Sequence, residues 1–124
     1  MAIINDNIFI SYTDEIKEDC WNISIIYGEI NYNKIIFKKL FSSENNIYKP
    51  SECIHSSKNI DKEFLATQSG GRIIKFDDNH ILFSTGDFRN RYLAQDIKSI
   101  NGKVIKINIL SLDYEIISMG HRNP

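Results

Sequence analysis

Few side chains in this sequence could take part in acid–base or ligand-binding chemistry. Three histidines, His55, His80 and His121, are the groups whose ordinary pKa would let them act as a general base near neutral pH. Arg122 and Asn123 stand side by side near the end of the chain. A guanidinium presents a planar pair of donors that suits carboxylates, and an amide both donates and accepts hydrogen bonds. This pair therefore suits the carboxylates and oxygens of a ligand.

Neither the histidines nor the cysteines form a recognisable cluster. We interpret His80, at the start of a strand, as structural or surface-facing, His55 as a solvated loop residue, and His121 as a residue that orients its loop. Cys20 and Cys53 belong to no CxxC or Cys/His cluster, so a zinc site is not expected. A disulfide stays possible, but free, partly buried thiols are favoured.

Composition excludes some classes of partner. The chain has 124 residues, enough for one domain with a modest core, and its 15 basic and 16 acidic side chains nearly cancel. No strong field therefore favours nucleic acid or an anionic membrane. No apolar run is long enough to span a membrane. The first residues lack a basic region followed by a long apolar region, so no secretory signal is expected in this chain.

The apolar pattern predicts short strands and almost no helix. Seven segments rich in β-branched and aromatic residues are expected to be strands: 7–12, 21–30, 34–41, 72–76, 80–85, 103–108 and 114–118. Alternation within 21–30 predicts a strand covered on both faces. Asn31–Asn33 is expected to form a tight hairpin, and the polar stretch Asp14–Asp19 a loop. The aperiodic stretch from Ser42 to Leu65 predicts a long connection between units.

Four short strands joined by glycine-containing turns are typical of a propeller blade. The predicted fold is therefore all-β: a partial β-propeller of about two four-stranded antiparallel blades. We divide the chain into an incomplete blade plus its connecting loop (1–65), a complete four-stranded blade (66–119) and the start of a further blade (120–124). The first blade is expected to lack its innermost strand, and the strand at 72–76 to be innermost in its own blade.

Five segments carry a resemblance to a known family: Ala66-Thr-Gln-Ser-Gly-Gly-Arg72, Ile81-Leu-Phe-Ser-Thr-Gly-Asp87, Asn90-Arg-Tyr-Leu-Ala94, Gly102-Lys-Val-Ile-Lys-Ile-Asn108 and Gly120-His-Arg-Asn-Pro124. In this order they resemble the soluble quinoprotein glucose/sorbosone dehydrogenases. The resemblance implies a six-bladed parent that uses pyrroloquinoline quinone (PQQ) and calcium to oxidise a sugar and passes the electrons to an acceptor. It also implies a periplasmic or secreted parent.

Only some of the family's functional positions have matching residues in this sequence. The resemblance implies that Arg122 and Asn123 contact the quinone, and that Leu93 and Gln68 contact the sugar. Plain loop packing is an equal interpretation of Leu93. Arg122 could instead brace the junction between blades. Asp87 is interpreted as a residue that caps a turn.

The family's catalytic Asp-His pair falls at Ala66 and Thr67. A threonine hydroxyl cannot accept the sugar's proton near neutral pH, and the histidines lie elsewhere. The resemblance also assigns the calcium ligands to later blades.

Three interpretations follow from the family positions that this sequence keeps and those that it lacks. The sequence predicts part of a PQQ-dependent sugar dehydrogenase-like propeller whose isolated chain is inactive and binds no cofactor tightly. Alternatively, the change at Ala66 and Thr67 is adaptive, and the propeller binds a glycan or a protein partner. A third possibility is that Thr67 is a local variant in an active parent. Uncovered blade faces, with residues such as Ile74, Phe76, Leu82 and Phe83, predict that the chain self-associates.

Overall fold

The structure is a computed structural model that describes residues 1–42, 54–55 and 68–124. Within these ranges the chain forms two four-stranded antiparallel sheets and one short helix. The strands are β1 (Ala2–Ile4), β2 (Asn7–Lys17), β3 (Cys20–Glu29), β4 (Lys38–Ser42), β5 (Gly70–Lys75), β6 (His80–Thr85), β7 (Lys103–Asn108) and β8 (Tyr114–Met119), and the helix is α1 (Arg91–Gln95). Each sheet runs in sequence order, β1 to β4 and β5 to β8.

The first sheet contains a strand that the sequence did not predict. Ala2–Ile4 pairs with the start of β2 through a two-residue turn, Asn5–Asp6, in which both residues have left-handed φ angles of 48° and 59°. Asn and Asp tolerate this conformation, which tight hairpins require. The prediction that the first blade lacks its innermost strand is therefore wrong. The division of the chain into 1–65, 66–119 and 120–124 stays a prediction.

The β2–β3 hairpin is also longer than expected. Its ladder runs from Asn7 opposite Glu29 to Lys17 opposite Cys20, so Asp14–Lys17 is strand rather than loop. The stretch was predicted to be a loop because it is polar, but at least one of its polar side chains has hydrogen-bond partners in neighbouring strands. Asp14 accepts hydrogen bonds from Ser24 Oγ at 2.7 Å and Lys39 Nζ at 3.2 Å. The middle of β3 is buried on both faces, as its alternation predicted.

The connection between β3 and β4 differs from the predicted tight hairpin. Strand β4 begins only at Lys38, and residues 30–37 fold back over β3 instead of continuing the ladder. A Cβ atom on Gly28 would lie 2.7 Å from the carbonyl oxygen of Ile36, so this close approach requires glycine. Ile36 is 61% exposed, and its apolar character had favoured a strand.

In the second sheet, the four predicted strands form with small shifts of their ends, and β5 is an edge strand. The sequence missed only α1, which is one turn long and too short to show a helical period. Its buried residues are Leu93 and Ala94.

The two sheets pack face to face around one core. Phe41 of the first sheet meets the rings of Phe83 and Tyr114 edge-on, with centroids 5.6 Å and 5.4 Å apart. Phe83 is fully buried at this contact, so the expectation that it is exposed is wrong. Ser11 Oγ of β2 donates to the carbonyl oxygen of Gly71 in β5 at 2.6 Å and links the sheets directly.

Cys20 is fully buried and its sulfur is in a disulfide, so the preference for free thiols is wrong. Two cysteines far apart in a sequence carry no signal for pairing, because spacing alone does not show which loop ends meet. Cys53 lies outside the described residues. Of the predicted long connection, the described Ile54 pairs with Trp21 through two backbone hydrogen bonds of 2.9 Å.

Candidate ligand-binding site at the C-terminal segment

Residues 120–124, here called the C-terminal segment, are fixed along their whole length. Every residue makes a hydrogen bond of 3.0 Å to the second sheet or its loops: Gly120 N to Ala94 O, His121 N to Gly102 O, Asp87 N to Arg122 O, Gly70 N to Asn123 Oδ1, and Ser84 Oγ to Pro124 O. The segment therefore crosses the end of this sheet where β5 begins and β6 ends. Its side chains have a rigid backbone beneath them.

The guanidinium of Arg122 is held from one side. Its Nε donates to Gln68 Oε1 at 3.0 Å. Within the described part of the chain, neither terminal nitrogen of Arg122 has a protein partner, and the residue is exposed. The planar pair of terminal donors is thus free to bind a carboxylate.

The backbone of Gln68 lies in the left-handed region, with φ of 59°. Its carbonyl oxygen accepts a hydrogen bond from Phe88 N at 3.1 Å. A Cβ on Gly86 would lie 1.7 Å from this oxygen, so only glycine fits there. The glycine at the end of β6 therefore permits the close approach that places Gln68 beside Arg122.

Asn123 lies next to a shallow polar groove at the start of β5. Its Oδ1 is occupied by Gly70 N, which leaves the side-chain Nδ2 as the donor for a ligand. The groove is lined by Met1, Gly70, Gly71, Arg72, Ile73, Asn123 and Pro124. No acidic side chain lines it, and Arg72 adds positive charge, so an anionic ligand would meet no repulsion from the side chains of the groove.

Asp87 has the turn role interpreted from the sequence. It is 1% exposed, and its Oδ1 accepts a hydrogen bond from Arg89 N at 2.8 Å. Leu93 is 2% exposed and belongs to the hydrophobic core. Ala66 and Thr67, the positions implied for the catalytic pair, lie outside the described residues.

All three histidines are engaged away from the Arg122 guanidinium. His80 Nδ1 contacts Asp77 Oδ1 at 2.8 Å, which lowers the pKa of that carboxyl group, and this confirms a structural role. His121 Nε2 lies 2.8 Å from Ser118 Oγ and so orients its loop as interpreted. His55 is half-buried, with Nδ1 3.8 Å from Asp19 Oδ2, so it is not simply solvated.

Sequence reasoning missed Lys103, whose side chain is fully buried. Its Nζ donates to the carbonyl oxygens of Leu93, Ala94 and Asn101 at 2.8, 3.0 and 2.7 Å. Ala94 O also accepts a hydrogen bond from Gly120 N, so the Lys103 ammonium and the C-terminal segment bind the same carbonyl oxygen. The available signal was alternation along β7, which places Lys103 on the inward face with Ile105 and Ile107.

The described ranges contain neither a cluster suited to a metal ion nor a helix suited to a membrane span. No three His, Cys, Asp or Glu side chains in residues 1–42, 54–55 and 68–124 come together to hold a metal ion. No helix in the described part of the molecule is long and apolar enough to cross a membrane.

The sequence matches a family model, and the fold matches solved structures. The family model "Glucose / Sorbosone dehydrogenase" matches residues 4–124. Among solved structures, the soluble aldose sugar dehydrogenase from Escherichia coli in its apo-form has a TM-score of 0.68 at 19% identity, covering 95% of this chain and 34% of that one. Two structures named as glucose dehydrogenase also have TM-scores of 0.68, at 16% identity, covering 96% and 97% of this chain and 37% and 35% of theirs. No curated protein matches the sequence.

The chain therefore belongs to the glucose/sorbosone dehydrogenase family, which confirms the resemblance seen in the sequence. The solved structures support the fold, so the two sheets correspond to part of a dehydrogenase propeller. The chain spans about a third of the length of those structures.

Proposed function

We propose that this chain forms two blades of a longer six-bladed propeller that oxidises an aldose or a similar sugar by hydride transfer to PQQ. The observation that carries the proposal is the fixed C-terminal segment with the free terminal donors of Arg122. Family membership supplies the substrate class and the cofactor class.

The residues present fit a quinone that carries carboxylates. Arg122 offers its two terminal nitrogens, and Asn123 offers Nδ2, from a backbone that is already ordered. Little conformational entropy would then be lost on binding. PQQ, when bound, supplies the two-electron acceptor for the sugar's hydride. Within this chain, Arg122 and Asn123 bind and orient, and we propose that calcium ligands come from outside it.

Proton abstraction is the step that this chain is least suited to perform. Thr67 occupies the implied position of the base, and a neutral hydroxyl is a poor proton acceptor near pH 7. We therefore propose that the isolated chain is inactive, and that an active parent would need a base from another segment.

The same substitution favours a second candidate, a non-catalytic propeller that binds a glycan or a protein partner. The two candidates differ in what must follow in the coding sequence. Later blades with a Gly-Pro calcium loop and a further basic quinone contact would favour the dehydrogenase. Their absence would favour the binding module.

We also propose a periplasmic or secreted parent. The disulfide at Cys20 supports this location, because such bonds persist in oxidising compartments and are rare in the cytosol.

The cofactor role is tested by Arg122→Lys in the full-length protein, with Arg91→Lys at the exposed start of α1 as the matched control. Lysine keeps the charge but loses the planar donor pair. We expect quinone affinity to fall by about 1–3 kcal/mol, the usual value of a hydrogen bond to a charged group. Quinone binding is followed by absorbance in the presence of calcium, alongside the melting temperature of each apo-protein.

Weaker binding at an unchanged melting temperature supports the cofactor role. A lower melting temperature at unchanged affinity means that Arg122 only braces the blade junction, and the proposed role is then wrong. The control should match the wild type in both measurements.

A further inference from the structure

We infer that Gln68 is a positioning residue that aims the guanidinium of Arg122 at a ligand carboxylate and leaves its charge available. This inference rests on the proposed function of Arg122. It replaces the sugar contact that the resemblance implies for Gln68.

The chemistry of a guanidinium explains why one acceptor at Nε matters. Its donors can bind a carboxylate from the side, through Nε and one terminal nitrogen, or end-on, through both terminal nitrogens. Gln68 Oε1 lies 3.0 Å from Nε and occupies the side position. A ligand is therefore directed to the end-on position, which fixes where its carboxylate sits.

Gln68 can do this because its own backbone is locked. A non-glycine residue at φ of 59° is uncommon, and here Phe88 N and the close approach of Gly86 hold it there. Residues held in sparsely populated conformations concentrate at ligand sites, where rigid placement is useful. The carbonyl oxygen of Arg122 accepts a hydrogen bond from Asp87 N, so Arg122 is held both at its backbone and at Nε.

The glutamine amide is neutral, so it leaves the positive charge of Arg122 available to a ligand. A glutamate at this position would accept the same hydrogen bond but would neutralise Arg122 as an ion pair. An amide orients the guanidinium without competing for its charge. The arrangement thus suits an anionic ligand, and no acidic side chain lines the adjoining groove.

The test compares Gln68→Ala and Gln68→Glu with the wild type in the full-length protein with calcium present, isotopically labelled so that the Nε–H resonance of Arg122 is observed by NMR. PQQ is titrated into each protein, and the Nε–H exchange rate is measured without ligand. Ser118→Ala is the matched control, because it removes the contact with His121 Nε2 in the same segment but leaves Arg122 Nε untouched. Far-ultraviolet circular dichroism verifies that every variant is folded.

In the full-length wild type we expect saturable binding that shifts the Arg122 resonance. Gln68→Ala should speed Nε–H exchange and weaken binding about fivefold, the value of one modest hydrogen bond. Gln68→Glu should keep slow exchange yet weaken binding about tenfold or more, since the charge is neutralised. Ser118→Ala should change binding less than Gln68→Ala does.

The outcomes separate the inference from the proposed function. If the wild type binds but Gln68→Ala binds equally well, or Ser118→Ala weakens binding as much, the positioning role is wrong and the proposed function stands. If Gln68→Glu binds as well as the wild type, the charge argument is wrong. If PQQ leaves the wild-type Arg122 resonance unchanged, the proposed cofactor role fails, and unchanged Nε–H exchange in Gln68→Ala would overturn the positioning role independently.

Discussion

At the scale of single residues, the candidate site depends on backbone positions more than on reactive side chains. Gly86 admits the carbonyl oxygen of Gln68, and Gly102 packs against Ala94, where a Cβ would lie 2.5 Å from the alanine side chain. Both contacts hold loops that carry hydrogen bonds to the C-terminal segment. Arg122 is consequently presented on a prepared surface, which lowers the ordering cost of binding.

Lys103 is the residue on which this support depends most. Replacing it in Lys103→Met removes three donors from buried carbonyls, although it also removes the cost of burying an ammonium. We expect a net loss of about 2–4 kcal/mol in the free energy of unfolding, because hydrogen bonds to a charged donor are strong. Urea unfolding at neutral pH measures the loss.

The control for this change is Lys98→Met, at an exposed position between α1 and β7. A loss in Lys103→Met no larger than in the control would show that the buried ammonium contributes nothing net.

Residues within a family motif could be named as candidates from the sequence, and their roles stay predictions, whereas residues that act through geometry could not be named. Arg122 and Asn123 were identified because their neighbours resemble a family motif, and the structure shows that the segment is ordered. Lys103 was missed because a lysine at a strand start is usually solvated. Pairing of Cys20 depends on contacts far apart in the chain, which spacing does not encode.

At the scale of elements, Asp14 joins three strands of the first sheet. It lies in β2 and accepts hydrogen bonds from Ser24 of β3, Lys39 of β4 and Tyr12 of its own strand. Burial raises the pKa of Asp14, but the bonds from Ser24 and Lys39 outweigh that effect and hold it below its ordinary value. The ionised carboxylate is therefore the form that stabilises the sheet.

The sign of the pH dependence follows from this lowered pKa. The stabilisation is complete above the ordinary value of 3.8 and is lost as pH falls through the lowered pKa of the folded state. We expect Asp14→Asn to cost about 0.5–1 kcal/mol near pH 7, because the carboxylate is partly exposed and screened by solvent. The difference should disappear in strong acid, where both side chains are neutral.

Urea unfolding of both proteins across this pH range measures the effect. Asp78→Asn serves as control, since the side chain of Asp78 is 91% exposed in its pair with Lys75. A wild-type advantage that does not decline as the pH is lowered below 3.8 would contradict the assignment, because protonation of Asp14 removes its ionised form.

Strands were predicted best where β-branched residues alternate with other residues. They were predicted worst where the residues of a turn determine which segments pair. The second sheet followed from such alternation and its glycine-containing turns. Strand β1 was missed because its three residues give too short a pattern, and Asn5–Asp6 is the actual turn signal. Residues 34–37 were misassigned because Ile35, Ile36 and Phe37 give a strand-like pattern, although these side chains are exposed and the segment does not pair as a strand.

At the scale of the whole molecule, one face of the second sheet is left open. The inward face packs on the first sheet, whereas the outward face presents the exposed apolar side chains of Ile74 and Phe76, and Ile117 is exposed in the edge strand β8. In a closed propeller each blade face packs against a neighbour. This chain spans about a third of the length of the dehydrogenase structures it resembles, so the face is available to another surface.

We therefore expect the isolated chain to self-associate through this outward face. Ile74, Phe76 and Ile117 are 51%, 55% and 48% exposed, and burying such side chains favours association. Size-exclusion chromatography with light scattering should show oligomers at roughly tens of micromolar, the range in which modest apolar contacts associate. The double variant Ile74→Thr, Ile117→Thr should shift the population towards monomer. Ile97→Thr, which removes an equally exposed side chain outside this sheet, should leave it unchanged, and a wild-type chain that is a folded monomer at these concentrations would refute the expectation.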